Sequence, residues 1–565
     1  MSAITSASAA APSLLRLAKA PVVSKASTFT PVLQTGTLSF SSPNANGISK
    51  ANFSDLNISD NTTTMAITVA LKANQKYTFS IPYSGSQPVV TLKDSKGKST
   101  TIKPGLGFTC AATGTYTLTF AAPFSLNLAG QLKTMVMTGA PVLPTKTGNI
   151  SIDALLMGGT SDWWHSAYGA TVGSSPVAPG AIGLDSTSSA TNLTYSFLSA
   201  KPSDQTMTGF AAMDATQRQA VRDALAVYSK LINVTFTELT DGSQGNINFG
   251  MNDQGSNSAG YAYLPGTLPD PTKTYLYLSN NQNYGWTNND AGMAVGNYGW
   301  QTALHEIGHT LGLKHPGNYN GNSGAGTPPY LPKNTDNRSY SIMSYKGVAN
   351  TYGVCNTSPM MYDIAALQYL YGANQSGSTA VDGKFSFGDS SYVQTLWSTN
   401  GTDTIDLSTT TKASDVNLNA GTFSNIDIVA ASNSTGYSGY NDVSIAYGAK
   451  INKVTLSSTS GVADTVTLNN AFASGSYDSI ASFDASADKI VLNKSLFGSI
   501  AAKNIEFNTT GVASKSTSKI IVNTTTGSIY YDTDGNGKGV AKKIAQYSLL
   551  QGSGALTGSN LSIVA

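Results

Sequence analysis

The stretch that decides the fold lies at residues 305–315 and reads HEIGHTLGLKH, with three of the chain's four histidines inside it. Residues four apart on a helix share one face, so His305 and His309 can direct both imidazoles at one ligand. Glu306 lies one step around the helix, where its carboxylate can approach that ligand's surroundings without binding the ion itself. The spacing predicts a helix whose histidines bind a single metal ion.

His315 completes the set only if the helix ends before it. A continuing helix would carry His315 roughly 9 Å beyond His309, whereas a glycine in positive φ at Gly312 turns the chain back. Three neutral nitrogen ligands with an open fourth position are typical of a catalytic zinc rather than a closed structural site. We therefore expect zinc to acidify a water molecule and Glu306 to take its proton during attack on a carbonyl. The alternative is a helix with three structurally satisfied histidines.

The extended histidine motif resembles that of the metzincin metalloproteases, and the following sequence resembles their serralysin-type group. The resemblance is carried by HPGNY at 315–319 and by SIMSY at 341–345. It implies a methionine turn at Met343 beneath the metal. It also implies that Tyr345 binds zinc at rest and is released to stabilise the tetrahedral oxyanion. The competing interpretation of Tyr345 is a packed core tyrosine.

The resemblance extends over most of the predicted catalytic region. It includes residues 152–156 with Trp163 or Trp164, residues 194–197, and a final helix at 361–368, for all of which core packing is the default role. The segment GYAYLP at 260–265 is similar to the family's upper edge strand. Tyr261, Ala262 and Tyr263 would then pair with an extended peptide substrate through main-chain hydrogen bonds, which leaves few side-chain determinants of preference.

Composition excludes several other classes of protein. The 33 lysines and arginines nearly balance the 31 acids, and charged residues make up only 11% of the chain. A nucleic-acid-binding surface needs a dense basic stripe, so nucleic acid is not an expected partner. No stretch approaches the 18 or more apolar residues of a membrane helix, so no membrane span is expected. The first residues lack a basic segment ahead of their apolar part, so we expect no N-terminal signal peptide.

The predicted fold class is multidomain α+β, with a metzincin catalytic domain of mixed sheet and long helices between two β-rich flanks. Residues 1–55 are rich in Ser, Ala, Thr and Pro, which is typical of a flexible leader. Alternating apolar residues such as Ile67, Val69 and Leu71 predict a β-sandwich over 56–147. The catalytic domain is placed at 148–374, with a helix starting near Asp214. Many short strands with Asn, Gly and Asp turns predict a β-roll-like domain at 375–565.

The C-terminal domain resembles the family's calcium-binding β-roll, but no intact copy of its nonapeptide is present. Asp403 and Asp406 lie in a degenerate copy of this nonapeptide, in which Ser398 stands where an acidic residue is expected. Asp532 and Asp534 resemble half of a calcium loop, although a plain Asp/Gly turn explains them as well. These four residues are the candidate calcium ligands, and calcium dependence is an open question. The tail at 559–565 resembles an uncleaved signal for type I export, which implies secretion.

The remaining candidates carry little chemistry. Cys110 and Cys355 are too few for a disulfide framework, and buried free thiols are the expected state of both. A switch in which the Cys110 thiolate blocks zinc is the alternative, but its surrounding motif is missing. His165 is expected to be structural. Whether residues 1–147 are removed as a propeptide is not decided by the sequence.

The predicted function is a secreted zinc endopeptidase that acts on proteins or peptides. The alternative is a non-catalytic or surface-tethered protein, associated with the cell surface or a surface layer, that retains a protease fold. A decayed enzyme would be expected to lose Glu306, a histidine or Tyr345, and all of these are present.

Overall fold

The structure is a computed structural model that describes residues 191–564 with short gaps, together with several earlier segments. The gaps are residues 241, 243, 257, 266–267, 269–272, 282–283, 285–289, 320–327, 348–352, 392, 430–437, 470–475 and 499. The earlier segments are residues 33–38, 49–52, 64–71, 75–80, 90–102, 108–109, 114–120, 136–141 and 147–156.

The N-terminal part forms two β-sheets. Its strands are β1 Leu33–Leu38, β2 Ser49–Asn52, β3 Thr64–Leu71, β4 Gln75–Ser80, β5 Val90–Lys93, β6 Ser99–Ile102, β7 Phe108–Thr109, β8 Gly114–Phe120 and β9 Val136–Pro141. One sheet has the order β1-β3-β8-β5-β6 and the other β2-β9-β4-β7. Ile67, Val69 and Leu71 are buried on one face of β3, which confirms the predicted alternation. A face-to-face sandwich of the two sheets stays a prediction.

The predicted flexible leader is too long. Strand β1 pairs in parallel with β3, and β2 pairs antiparallel with β9, although both lie before residue 55. The composition of these segments suggested flexibility. In the structure they are held in place by hydrogen bonds to strands that come later in the sequence. Tertiary pairing of this kind has no local signal.

The central region contains a mixed sheet and the long helices. Its elements are α1 Ile150–Asp153, β10 Thr191–Phe197, α2 Ala215–Leu231, β11 Val234–Glu238, β12 Ile247–Asn252, β13 Gly260–Ala262, β14 Thr274–Ser279, a 3-10 turn Asp290–Met293, α3 Tyr298–Thr310 and α4 Met361–Tyr371. The strand order is β11-β10-β12-β14-β13. Strands β10, β11, β12 and β14 run parallel, and β13 lies antiparallel at the edge. The central region therefore has the mixed sheet that the resemblance implied.

Helix α2 begins where its capping residues predict. The Asp214 carboxylate accepts a hydrogen bond from the Gln217 backbone N–H at 2.9 Å, and the Gln217 side chain accepts one from the Asp214 N–H at 3.0 Å. Such a reciprocal capping box satisfies two backbone donors that a helix start would otherwise leave unpaired. Val221, Leu225 and Tyr228 on the buried face pack into the core.

The C-terminal region coils between two sheets that are parallel except at one strand. Its elements are β15 Lys384–Ser386, β16 Gln394–Leu396, β17 Thr404–Asp406, β18 Asp415–Asn417, β19 Phe423–Ser424, β20 Val443–Ile445, β21 Lys453–Thr455, β22 Thr465–Thr467, β23 Asp478–Phe483, β24 Lys489–Asn493, α5 Lys494–Phe497, β25 Ile505–Asn508, β26 Ile520–Asn523, β27 Ser528–Tyr531, β28 Lys542–Leu549 and β29 Leu561–Val564. The first sheet has the order β15-β17-β21-β23-β28-β27-β26-β25 and the second β18-β22-β24-β29; a third sheet is β16-β20-β19. The exception in the first sheet is β27, which pairs antiparallel with β26 and β28. Because β17, β21, β23 and β28 alternate along the chain with β18, β22, β24 and β29, the chain winds as a roll.

The central and C-terminal regions share one hydrophobic core. A single cluster of buried side chains includes residues of α3 and α4 as well as strands of the roll, with Trp397 completely buried. Ile232 bridges to Ala373, and the Asn374 amide donates to the Ser229 carbonyl at 2.7 Å. The boundary predicted after residue 374 therefore lies inside continuous packing. Among the described residues, no helix has both the length and the apolar character needed to cross a membrane.

Candidate metal centre and active site

Helix α3 presents His305 and His309 and then ends at the predicted place. Leu311 caps the helix, and Gly312 follows with φ of +100°, a conformation that glycine adopts without strain. The Leu313 N–H then donates back to the Gly308 carbonyl at 3.0 Å. This turn reverses the chain and brings His315 beside the helix, as the sequence predicted.

The three imidazoles converge. His315 Nε2 lies 3.1 Å from His305 Nε2 and 3.1 Å from His309 Nε2. The opposite ring nitrogens face backbone carbonyls: His305 Nδ1 is 2.8 Å from the Ile342 oxygen, and His309 Nδ1 is 2.7 Å from the Leu313 oxygen. A carbonyl accepts only from a protonated nitrogen, so these contacts place the proton on Nδ1 and leave the Nε2 lone pair facing the cluster.

This donor set fits a divalent metal such as zinc. Three nitrogen lone pairs held this close together repel one another unless a cation lies between them. Burial lowers the pKa of His305 to about 3 and holds that of His309 well below its usual value, so both rings are neutral ligands. Within the part of the chain that the structure describes, these three residues form the one group with metal-binding potential. Three nitrogens with an open side match a catalytic zinc site.

Glu306 faces an open cleft beside the histidines. Its side chain is only 6% exposed, and burial raises its pKa to about 8. The Oε2 atom is buried without a hydrogen-bond partner among the described residues, which is costly unless a ligand or water completes the site. The cleft has a volume of about 250 Å³ and is also lined by His305 and Tyr345. The carboxylate is therefore placed next to the metal-binding atoms without being one of them.

The predicted methionine turn lies directly under the helix. Met343 is fully buried, and its sulfur would be only 2.8 Å from a Cβ atom added at Gly308. The absence of a side chain at Gly308 therefore allows the turn to approach the helix between the two helical histidines.

Tyr345 lies over the histidine cluster. Its ring centroid is 4.4 Å from that of His315 and 5.9 Å from that of His305. The residue is 51% exposed, which contradicts the competing interpretation of a packed core tyrosine. On its outer side the ring stacks on Tyr319 with a centroid distance of 5.0 Å. The placement agrees with the implied role, while metal ligation by the phenol stays a prediction.

The sequence reasoning missed two buried aspartates that hold this turn. Asp363 of α4 accepts hydrogen bonds from the Ser341 hydroxyl at 2.6 Å and from the Ile342 N–H at 2.7 Å. Asp336 accepts from the Tyr319 hydroxyl at 2.6 Å and from the Ser344 hydroxyl at 2.8 Å, and it forms an ion pair with Lys346. Both aspartates lie within a few residues of recognised motifs. Their separation in sequence from their hydrogen-bond partners follows no known motif, so the sequence did not indicate these contacts.

The predicted substrate strand is an edge strand among the described residues. There β13 pairs only with β14, and Gly260 approaches helix α3 so closely that an added Cβ would lie 3.1 Å from Glu306 Cγ. The rings of Tyr261 and Tyr263 lie 5.8 Å apart and pack against the buried tyrosines of β14. Any pairing of this segment with a substrate would therefore use backbone groups, and of Tyr261, Ala262 and Tyr263 only Ala262 has its main-chain groups on the open edge.

The candidate calcium ligands are bonded to protein groups. Asp403 accepts from the Ser378 hydroxyl at 2.5 Å, and Asp406 accepts from the Lys384 ammonium at 2.7 Å. Asp532 accepts the N–H of Gly535 at 3.0 Å, and Asp534 accepts that of Gly539 at 2.9 Å. The structure does not gather these four aspartates into a metal-binding group among the described residues. Calcium binding at these positions therefore stays a prediction.

Several other predictions lie outside the described residues. They concern Trp163, Trp164, His165 and Cys110. Cys355 is described and is a free cysteine, but it is only half-buried rather than fully buried as expected. Burial raises the pKa of its thiol.

Comparison with known proteins agrees with this geometry. Residues 186–354 match the family described as metallo-peptidase family M12. The chain is 37% identical over 261 residues to metallopeptidase AprA of Pseudomonas marginalis, covering 42% of this chain and 54% of that protein. It is 36% identical over 265 residues to a serralysin of Photorhabdus sp. strain Az29, covering 43% and 53%. It is 35% identical over 285 residues to serralysin A of Dickeya chrysanthemi, covering 46% and 55%.

The chain thus spans about half the length of these relatives. The part that matches the family includes all three histidines, Glu306 and the methionine turn. Residues 186–354 therefore match a metallopeptidase family, and the predicted resemblance to the serralysin-type metalloproteases is confirmed.

Proposed function

We propose that this protein is a secreted zinc endopeptidase that hydrolyses peptide bonds within proteins. The observation that carries the proposal is the convergence of three imidazole Nε2 atoms beside an unpartnered carboxylate oxygen in an open cleft. His305, His309 and His315 would hold the zinc. When bound, zinc supplies Lewis acidity that polarises a peptide carbonyl and makes water easier to deprotonate.

Glu306 would act as the general base and then as the general acid. Its buried position raises the proton affinity of its carboxylate, and a base with a pKa near the working pH transfers protons in both directions most effectively. It would remove a proton from the attacking water and deliver it to the nitrogen of the leaving amine. The half-exposed Tyr345 phenol at the cleft mouth would donate a hydrogen bond to the developing oxyanion.

The substrate backbone would extend along β13. The Ser279 N–H bonds to the Ala259 carbonyl at 2.8 Å, and the Tyr263 N–H bonds to the Tyr275 carbonyl at 3.0 Å, so these positions face β14. Alternation along an antiparallel strand then turns the main-chain groups of Gly260 and Ala262 toward the open edge. The Gly260 carbonyl already accepts from the Ser258 hydroxyl at 2.9 Å, which leaves Ala262 as the main pairing position.

The mechanism is tested by replacing Glu306 with Gln. The variant should retain one zinc per chain by metal analysis, and its kcat on casein should fall by at least about a hundredfold. A Glu238→Gln variant makes the same chemical change at the partly exposed Arg222 ion pair, outside the cleft, and should keep its activity. Parent-level cleavage of casein by zinc-loaded E306Q would disprove the role of Glu306. Absence of cleavage by the parent protein itself would instead favour the non-catalytic, surface-associated alternative.

The extracellular location is part of the same proposal and has its own test. The resemblance implies export by a type I system, with protein or peptide substrates outside the cell. Expression in a Gram-negative host with and without such a machinery, followed by immunodetection in medium and cells, separates export from retention. A chelator wash of the cells then distinguishes tethered protein from free protein, which addresses a surface or surface-layer association.

A further inference from the structure

We infer that Arg338 selects substrates with an acidic side chain next to the cleaved bond, an inference that rests on the proposed peptidase function. The cleft that contains Glu306 runs between helix α3 and the loop 338–345. Its described lining includes Tyr298, Gln301, Thr302 and His305 of α3. Apart from histidine, the charged residues of this lining are Arg338 and Glu306.

The guanidinium of Arg338 is not neutralised by a carboxylate. Some other described cations do have carboxylate partners: Arg222 pairs with Glu238 at 2.8 Å, and Lys412 pairs with Asp427 at 2.9 Å. Lys346, eight residues from Arg338, forms its ion pair with Asp336. Among the described residues, no acid lies within ion-pair distance of Arg338. A full positive charge therefore remains at the wall of the cleft.

The surrounding bonds hold Arg338 in place while leaving much of its donor capacity unused. Its Nε donates to the Ser344 carbonyl at 3.3 Å, and its own carbonyl accepts from the Asn356 amide at 2.8 Å. The buried Asn356 also donates its N–H to Gln301 on helix α3 at 2.9 Å, which links the two walls of the cleft. The Nη groups make no hydrogen bond to another described residue. A planar fork held this way matches a carboxylate, which can accept two parallel hydrogen bonds.

The neighbouring side chains favour a polar substrate residue as well. Tyr298, Gln301 and Thr302 lie on the same face of α3 as His305, at helical spacings of three and four. The Thr302 hydroxyl donates to the Tyr298 carbonyl at 2.8 Å, and Gln301 Oε1 accepts from the Asn356 N–H, so this wall is polar but its side chains are partly occupied. A substrate Glu or Asp that enters this space therefore meets Arg338 as its main donor. A substrate Lys meets an unpaired guanidinium and is repelled.

The test uses the full-length protein and matched peptides. A cleavage site is first found by mass spectrometry of a casein digest. Quenched fluorescent peptides based on it then carry Glu, Gln or Lys at either residue flanking the cleaved bond. We expect kcat/KM for Glu to exceed that for Gln by about tenfold at one of the two positions, with Lys poorest. The preference should weaken when the ionic strength is raised to about 0.5 M, because the interaction is between partly exposed charges.

Two variants assign the preference to Arg338. In Arg338→Gln the Glu-to-Gln ratio of kcat/KM should fall to about one, mainly through a higher KM for the Glu peptide. Lys333→Gln removes the same charge from an exposed site five residues away, outside the cleft lining, and should keep the full preference. Arg338→Lys keeps the charge but not the fork, so it should retain a reduced preference. This variant and the salt dependence still test the inference if R338Q does not fold.

The inference is overturned if the parent protein cleaves Glu and Gln peptides equally at both positions, or if R338Q keeps the preference. Failure of the parent to cleave any peptide would count against the peptidase function instead.

Discussion

The strongest prediction concerns Asp363, which joins helix α4 to the methionine turn. Its carboxyl group is fully buried and accepts hydrogen bonds from the Ser341 hydroxyl at 2.6 Å, the Ile342 N–H at 2.7 Å and the Met360 N–H at 2.8 Å. Ile342 in turn presents its carbonyl to His305 Nδ1 at 2.8 Å. Asp363 therefore acts on a histidine of the proposed zinc site through one intervening residue.

The size of the effect follows from the donors that a substitution leaves unpaired. Asp363→Ala strands two buried backbone N–H groups, each costing about 1–3 kcal/mol, so the local loss is roughly 2–6 kcal/mol. In Asp363→Asn the side-chain oxygen can replace Oδ2 and accept from the N–H groups of Ile342 and Met360. The side-chain NH2 group can then donate to the Ser341 hydroxyl, which rotates to accept. The loss is then only about 1 kcal/mol. Burial raises the pKa of Asp363 to about 7, so the carboxyl group is mostly neutral at pH 6. Removing it at this pH therefore does not stabilise the protein by removing a buried charge.

The assay measures zinc affinity and local opening at pH 6. Groups that orient a metal-ligating histidine typically contribute 10–100-fold in affinity, so D363A should bind zinc at least about tenfold more weakly in chelator competition. D363N should stay within about threefold of the parent. Hydrogen exchange at residues 340–345 should speed up in D363A and much less in D363N. A matched control is Asp464→Ala, which strands the Ser414 and Ser457 N–H groups in the roll without touching the histidines. Equal zinc affinity in D363A and D464A would refute the reasoning.

Three further predictions concern packing, pH and calcium. Gly308→Ala should gain about 1 kcal/mol of helix propensity but lose about 1–3 kcal/mol from the clash with the Met343 sulfur. The melting temperature should therefore change little, whereas the peptidase activity, measured at equal zinc loading, should fall clearly. Burial raises the pKa of Asp478 to about 8, above its value in the unfolded chain. The free energy of unfolding should therefore fall as the pH rises from about 4 to 8. In Asp478→Asn, urea titrations should show a weaker dependence of this free energy on pH. Finally, a calcium-selective chelator should leave the roll's circular dichroism and melting unchanged, because protein donors already occupy its aspartates; melting lowered by more than about 5 °C would contradict this.

The histidine cluster could be predicted from the sequence because the residues that determine it lie close together in the chain. His305, Glu306 and His309 occupy one helix with a fixed period, and Gly312 provides the one conformation that returns His315 to them. The edge position of β13 could be anticipated only through the family resemblance, because pairing with a single neighbour is a property of the whole sheet.

The positioning network could not be predicted for the opposite reason. Asp363 and Asp336 act through backbone N–H and hydroxyl groups, which every stretch of sequence contains. Arg338 likewise matters because no described carboxylate lies within ion-pair distance of it, and this depends on the folding of the whole loop. The strands at residues 33–52 were missed because their partners, β3 and β9, lie well separated from them in the sequence.

The aspartates of the roll show how a worn repeat can keep its architecture. Asp464 accepts N–H groups from Ser414 at 2.9 Å and from Ser457 at 2.9 Å, so one carboxylate links two neighbouring turns. Asp488 does the same for Asp464 at 2.9 Å and Asp484 at 2.7 Å. A divalent ion between turns would link them by coordinating oxygen atoms from both turns. These carboxylates instead link them by accepting hydrogen bonds from N–H groups of both turns. The two arrangements compete for the same oxygens, so each carboxylate committed to N–H groups lowers the number that calcium could use. Loss of the repeat glycines and acids is therefore compatible with the parallel strand order that the roll retains.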